Sequence, residues 1–274
     1  MARVSAFYDF SVSPFSYDFL TFLCIARAFG CDHTVFVPGE RGYQKCSPEE
    51  QQYRLDHLLV PIAKLSGDVT VCKSREEARE FRPAFPFSYT LEKPVQAHMF
   101  GILIRGGRAR WLQAPDLEVP EGRVTITIRE SRIKPLRNSN IGEWIKAAEQ
   151  LEEMGYSVLF VPDTDNMQEF GRFESYSKAA LDPAVRLALY SKSVLNLGIN
   201  NGPMSMCSYS KFPYLVFRMQ DERFPEQSSQ FLAANALPVG SQLPWRNQKQ
   251  ALVWEDDKAE NIIKHVKQWE LRKP

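Results

Sequence analysis

Cysteine is scarce in this 274-residue chain. Five residues, Cys24, Cys31, Cys46, Cys72 and Cys207, lie scattered, odd in number and without a close pair. That excludes a disulfide frame and a zinc-knuckle spacing, and fits free thiols in a reducing compartment. Excess charge of either sign is missing as well: 34 Lys and Arg stand against 33 Asp and Glu, a formal net charge of +1. No overall field draws the chain to nucleic acid or an anionic membrane, and its basic residues are not interleaved with aromatics in a stripe, so nucleic acid is not an expected partner. Long apolar runs are absent too. The stretch 19–25 is too short to span a bilayer and has Asp18 at its flank, so the expectation is a cytoplasmic protein with no transmembrane segment.

Several catalytic signatures are missing. No Gly-x-Gly-x-x-Gly follows the first strand-like run, which disfavours a dinucleotide oxidoreductase. No Gly-x-Ser-x-Gly occurs, which disfavours a serine hydrolase of that type. The histidines His33, His57, His98 and His265 share no ligand spacing, and each reads as structural. Asp163-Thr164-Asp165 is the nearest approach to an Asp-x-Asp metal box, and it reads equally as a strand-end turn. No metal and no cofactor are expected.

What remains is an ordinary folding composition, 44% hydrophobic and 24% charged, arranged as alternating strands and helices. The most informative stretch is 124–166. A β-branched run at 124–128 reads as a strand buried on both faces. A polar loop with Arg129, Arg132, Lys134 and Arg137 follows. Ile141, Trp144, Ile145, Ala148, Leu151 and Met154 then fall on one face of a helix, with Asn140 and Glu143 placed to cap its start and Gly155 to end it. A second strand, 156–161, stops at Pro162-Asp163. This is a βαβ unit whose first loop gathers cations at the carboxyl end of a strand, the place where open α/β sheets hold ligands.

The rest alternates likewise. Strands are expected at 4–8, 33–37, 69–72 and 109–113. A helix is expected over about 15–29, another opens at Ser47 and runs through Leu65, and a short one opens at Ser74. The segment 81–94, rich in proline and aromatics, reads as an ordered loop. The stretch 95–105 reads as a helix in preference to a hairpin turning at Gly106-Gly107. The segment 114–122, with two prolines and no long apolar run, marks a boundary between domains 1–118 and 119–274. Beyond the opening unit, a helix starts at Asp182-Pro183, a strand covers 195–199, and Asn200-Asn201-Gly202-Pro203 turns into a helix reaching about Tyr209. A strand spans 213–219, 221–246 is irregular, 250–254 is a last strand, and Asp257 with Glu260 caps a final helix. The fold class expected is α/β, with two Rossmann-like parallel-sheet domains facing each other.

Two stretches carry a family resemblance: TITIRESR…RNSN with its helix and its strand ending in VPD, and LGINNGPMSMCSYSKFPYL. Both resemble the carboxyl-terminal half of GT-B glycosyltransferases, in particular lipopolysaccharide heptosyltransferases, sialyl-type transferases and nucleotide-sugar 2-epimerases. In those families Asp-Ser or Asp-Thr often precedes the Gly-Pro turn and His follows it. Here Asn200-Asn201 and Ser205 occupy the stretch. The resemblance implies a nucleotide-sugar donor on the second domain, a glycan or other hydroxyl acceptor on the first, reaction between them, and no bound metal.

The chemistry then needs cations for a diphosphate and a base for the acceptor. Arg129, directly after the buried strand, is the first candidate for the diphosphate, with Lys134, Arg137 and the Asn201-Gly202 turn with Ser205 in support. The same cations read alternatively as a solvated loop. Asp9 and Asp18 are the candidate bases, with Ser11 and Ser13 placed to contact the acceptor. Asp18 reads alternatively as a complement to a helix start. Trp245 and Trp254 suit stacking on a sugar or base, or a core. The activity expected is metal-independent glycosyl transfer from a nucleotide-sugar to a hydroxyl. A nucleotide-sugar epimerase or hydrolase on the same scaffold, and a non-catalytic binding module, are the rival expectations.

Overall fold

The structure is a computed structural model that describes residues 4–39, 46–96 and 99–271; His98 lies outside the described residues. The chain divides into two compact units, Met1–Gln113 and Ala114–Pro274. The division falls at the head of the proline-bearing segment, at 113/114 rather than at 118/119. Each unit is a parallel sheet with helices, which is the α/β class the alternation led us to expect.

The first unit is built on β1 (Ser5–Asp9), β2 (His33–Val37), β3 (Asp68–Val71) and β4 (Pro83–Phe85), in the order β3-β2-β1-β4 and all parallel. The alternation along β1 sorts its two faces. Phe7 packs with Val35, Val37, Cys72 and Tyr89. Tyr8 turns the other way, onto Phe19 and Phe22 of α1 (Phe19–Ala28), with ring centroids 4.9 and 5.1 Å apart. Ser47 caps α2 (Pro48–Arg54) by accepting the Glu50 N–H, and Ser74 caps α4 (Arg75–Ala78) by accepting that of Glu77, both at 3.2 Å. Between α2 and α3 (Val60–Lys64) the helix widens into one π turn, Leu55–Leu59. Pro61 follows at once; it has no N–H to give and its ring crowds the carbonyl four residues back, which a widened turn relieves.

Three expectations in this unit are corrected. The first helix starts at Phe19, because Phe15 is held in the loop by stacking on Phe10 at 3.9 Å. The segment 109–113 is not a strand; it runs along α1, donating the Arg110 N–H to the Cys24 carbonyl. The sheet position beside β1 is taken instead by β4, from within the segment read as loop. A proline opening a three-residue edge strand costs no ladder bond there. Of the stretch 95–105, residues Phe100–Ile104 form a short helix, α5, closed by Gly106 at φ +88°.

The second unit holds β5 (Val124–Thr127), β6 (Val158–Val161), β7 (Leu195–Ile199), β8 (Tyr214–Phe217) and β9 (Gln250–Leu252), parallel, in the order β6-β5-β7-β8-β9. On one face Val158 and Phe160 join Trp144 and Leu151 of α6 (Ile141–Glu153) and Ile262 and Val266 of α11 (Ala259–Glu270), the helix after the short α10 (Ser229–Ala234). On the other, Leu159 and Val161 join Ala179 of α7 (Ser177–Leu181) and Ala188 of α8 (Pro183–Lys192). Buried polar groups on β5 are paired: Thr125 donates to Asn196 at 2.6 Å, and Thr127 lies 2.7 Å from the Tyr190 hydroxyl. Gly198 of β7 lies where a Cβ would come within 2.9 Å of Met204. Its bareness lets α9 (Gly202–Ser208) settle on the strand end. No helix among the described residues is long and apolar enough to cross a membrane.

Candidate functional site

The sheet order of the second unit fixes where a ligand would sit. From β5 the chain crosses to β6 on one side, and β7 then lies on the other side of β5. The crossovers reverse at β5/β7, and the crevice at the carboxyl ends of those strands is the usual ligand position of a doubly wound sheet. Three segments meet there: the loop 129–138 after β5, the turn 200–202 after β7, and the segment from Arg218 after β8. A small recess, partly open to solvent, is lined by Arg137, Ile199, Asn200, Arg218, Asp221 and Gln227. It is far smaller than the roughly 300–1,000 Å3 of a full small-molecule pocket.

Arg129 stands at the end of β5, but its guanidinium serves its own loop. It donates to the Ile133 carbonyl, to the Lys134 carbonyl at 3.3 Å and to the Asn138 side chain. Burial pulls its pKa down, and Arg137 nearby adds repulsion. Arg129 thus braces the basic loop at the place where a direct grip on a diphosphate was expected. Arg137 is the cation at the recess: its side chain is 19% exposed, it donates to the Asn200 carbonyl at 3.1 Å, and it meets Glu226 at 3.4 Å. Burial lowers its pKa, with Glu226 opposing and Arg218 adding to the shift. Lys134, in the left-handed region at φ +56°, pairs with the same Glu226. Arg132 points to solvent beside Asp165, 3.7 Å away.

Arg218 was missed in the sequence, where Phe217-Arg218-Met219 reads as continuing strand. It sits at φ +52°, a backbone region costly for a side-chain-bearing residue and concentrated at functional positions. The turn aims its guanidinium back across the sheet end, where it donates to the carbonyls of Asn138 at 2.7 Å and Leu136 at 3.2 Å. Asp257 and Asp221 lie 3.6 and 3.7 Å from it.

The side chains of the turn after β7 make contacts of their own. Asn201 accepts the Met204 N–H at 2.9 Å, the Ser205 hydroxyl donates to the Gly202 carbonyl, and Pro203 has no N–H. These side chains are spent on a seven-residue helix, and the turn shapes the recess wall through Asn200. Asp163 and Asp165 are also committed. They accept the backbone N–H groups of Glu130 and Arg132 at 3.0 and 2.9 Å and hold the loop to the end of β6. Among the described residues no group of three or more His, Cys, Asp or Glu is gathered as a metal would need.

In the first unit Asp9 ends β1 as expected, fully buried, but its oxygens are filled. Arg75 grips both, at 3.1 and 2.9 Å; the Ser11 amide and hydroxyl donate at 2.9 and 2.6 Å, and the Tyr89 hydroxyl at 2.7 Å. Burial pushes the Asp9 pKa up, but Arg75, Ser11 and Tyr89 together hold it below the ordinary carboxylate value. A carboxylate so satisfied is a poor proton acceptor. Asp9 is an anchor with Ser11 part of it, at the positions where a base and an acceptor contact were expected. Ser13 is buried. Asp18 is exposed at the start of α1 and accepts the Ser16 hydroxyl at 2.9 Å. Trp245 and Trp254 donate to the Ser208 and Ser241 carbonyls at 2.8 and 2.9 Å and read as packing residues.

Fold and site define an α/β protein of two parallel-sheet units, the second doubly wound with arginines at its switch point. No family model matches the chain and no curated protein matches it. Among solved structures, it is similar to the iron-containing dodecameric glycosyltransferase TibC of enterotoxigenic E. coli H10407. The TM-score is 0.47 at 15% identity, over 89% of this chain and 61% of that one. It is similar also to ADP-heptose lipopolysaccharide heptosyltransferase II of E. coli, at 0.40 and 11%, over 98% and 76%. UDP-GlcNAc 2-epimerase of Methanocaldococcus jannaschii matches at 0.40 and 13%, over 99% and 93%. Heptosyltransferases and 2-epimerases are the kinds of protein the carboxyl-terminal half resembled. The chain spans about three-fifths of the length of TibC, and likenesses at this level carry no argument about activity.

Proposed function

We propose that the chain transfers a sugar from a nucleotide-sugar donor to a hydroxyl acceptor, with the donor's diphosphate at the carboxyl ends of β5, β7 and β8. The observation that supports this is the convergence of Arg129, Arg137 and Arg218. Two separate strand-end segments bring them together at the switch point, and burial and mutual repulsion depress the pKa of Arg129 and Arg137. Arginine does not shed its proton in a protein, so the cluster keeps its positive charge, which Glu226, Asp221 and Asp257 share in the absence of a ligand. Glycosyl transfer leaves charge on the departing diphosphate, and fixed cations there favour the transition state over the ground state. In this reading Arg137 and Arg218 carry that charge, Arg129 and Lys134 hold and flank the loop, and no metal or cofactor is required. The second unit takes the donor and the first the acceptor, and Asp18, the exposed carboxylate of the pair, takes the base role that Asp9 cannot.

Calorimetric titration with ADP, UDP, GDP and CDP tests the site. At least one should bind, and Arg137→Ala should weaken it by roughly 10–100-fold, the loss of one charge-assisted hydrogen bond of about 1.5–3 kcal/mol. Unchanged affinity in that variant would remove the diphosphate from this place. Release of nucleoside diphosphate from nucleotide-sugars only when an acceptor is present marks a transferase. Release from donor alone marks a hydrolase or epimerase instead.

A further inference from the structure

The cations at this site are already facing an anion. Glu226 accepts from Lys134 and lies 3.4 Å from Arg137 through one oxygen, Oε1. Burial pushes its pKa up, but Lys134 and Arg137 outweigh that and hold it below the ordinary value, so the carboxylate is charged at neutral pH. The segment that carries it, 221–228, lies along the basic loop by electrostatic contacts. Asp221 pairs with Arg223 at 2.7 Å and lies 3.7 Å from Arg218. The Phe224 ring has Lys134, Arg137 and Arg223 within 5.8, 5.8 and 5.9 Å. Asp221 and Gln227 of this segment line the recess beside Arg137 and Arg218.

We propose that Glu226 is a built-in stand-in for a ligand oxyanion: it occupies Lys134 and Arg137, and a phosphorylated ligand must displace it to bind. The inference rests on the anion site proposed above. Three features of the geometry carry it. One carboxylate oxygen serves two cations from the loop after β5, as a non-bridging phosphate oxygen would. The pair with Lys134 is half-open to water, with side chains 44% and 37% exposed, so it exchanges readily for a stronger anion. The neighbouring recess, with Arg137 and Arg218 on its wall, is where the rest of that anion would face fixed positive charge. A ligand that brings two or more negative charges competes with a single carboxylate, whereas a monoanion does so weakly. The site is thereby tuned to diphosphates.

Inorganic pyrophosphate is the probe, titrated calorimetrically into the whole protein, Glu226→Gln and Glu222→Gln. Glu222 lies on the same segment but accepts from Gln220 and the Ser229 amide, so its loss removes the same charge without freeing the cations. Glu226→Gln is expected to bind pyrophosphate about tenfold more tightly than the unaltered protein, and Glu222→Gln to bind it as the unaltered protein does. Equal affinity in all three, or the same gain in both variants, overturns the stand-in role and leaves the anion site intact. Absence of binding in all three, with thermal unfolding showing each folded, overturns the site and the stand-in together. Arg137→Ala made in the Glu226→Gln background should abolish the gain, and retention of the gain would place the pyrophosphate elsewhere.

Discussion

Asp9 shows what a carboxylate does when every lone pair is taken. Its five hydrogen bonds come from Arg75, Ser11 and Tyr89, in a setting with no exposure. Removing one partner of such a pair leaves the others unmet, so Asp9→Ala should destabilise the first unit by about 3 kcal/mol in urea unfolding at pH 7. Its folded pKa lies below the ordinary value, which is about 3.9 in an unfolded chain. The stabilisation is therefore complete above that value and is lost as pH falls through the lower folded one. Unfolding measured from pH 6 down to pH 2 should show this loss in the unaltered protein and a shallower slope in Asp9→Asn. Position was legible here, at a strand end before a loop, but occupancy was not, because Arg75 and Tyr89 are brought in from 66 and 80 residues away. Arg129 repeats the lesson at short range. Its place after β5 was readable, yet the loop's own carbonyls reached its guanidinium first. Arg129→Ala should accordingly speed amide exchange over 131–138 and cost less pyrophosphate affinity than Arg137→Ala; the reverse order would restore Arg129 as the direct ligand.

Helices were legible where a periodic apolar face met a local cap, as with Asp182, which accepts the Ala184 and Val185 N–H groups at the start of α8. They were less so where caps cross between elements. Asn140 was expected to cap α6 and Asp257 to cap α11. Instead the Asp257 carboxylate accepts the Asn140 N–H at 2.8 Å and the Trp144 indole at 2.9 Å, while Glu143 of α6 accepts the Ala259 N–H of α11 at 2.9 Å. Each helix thus starts against a carboxylate on, or just before, the other, and no local pattern encodes that exchange. It also bears on the site, because Asp257 stands 3.6 Å from Arg218. Asp257→Ala leaves a buried indole N–H and a helix start unpaired, and should cost about 2–3 kcal/mol. The double variant with Glu143→Ala should depart from the sum of the two single changes, because both hold the same pair of helix ends. Simple additivity in urea unfolding would mean the two caps act independently. The three-residue β4 was unreadable for a different reason: it is too short to show a period, and only the vacancy beside β1 makes it a strand.

For the molecule as a whole, the alternation of strands and helices was enough to give two parallel sheets, and the strand order was not, since order depends on which crossovers reverse. That order decides where the second unit keeps its site. All the residues argued to meet the anion, Lys134, Arg137, Arg218 and Glu226, lie within Ala114–Pro274, a unit with its own five-stranded sheet and its own core on both sheet faces. A fragment of residues 114–274 should therefore fold on its own and bind pyrophosphate with the affinity of the whole chain. At pyrophosphate a hundredfold above its dissociation constant, binding linkage adds about 2.7 kcal/mol to the fragment's stability, which thermal unfolding with and without the ligand reads directly. A folded fragment that fails to bind would mean the first unit supplies contacts to the anion, and the division of labour proposed here would be wrong. Under the proposed function sugar transfer should need both units: the fragment is expected to hold nucleoside diphosphate and to transfer nothing, because that proposal assigns the acceptor and Asp18 to the other half of the chain.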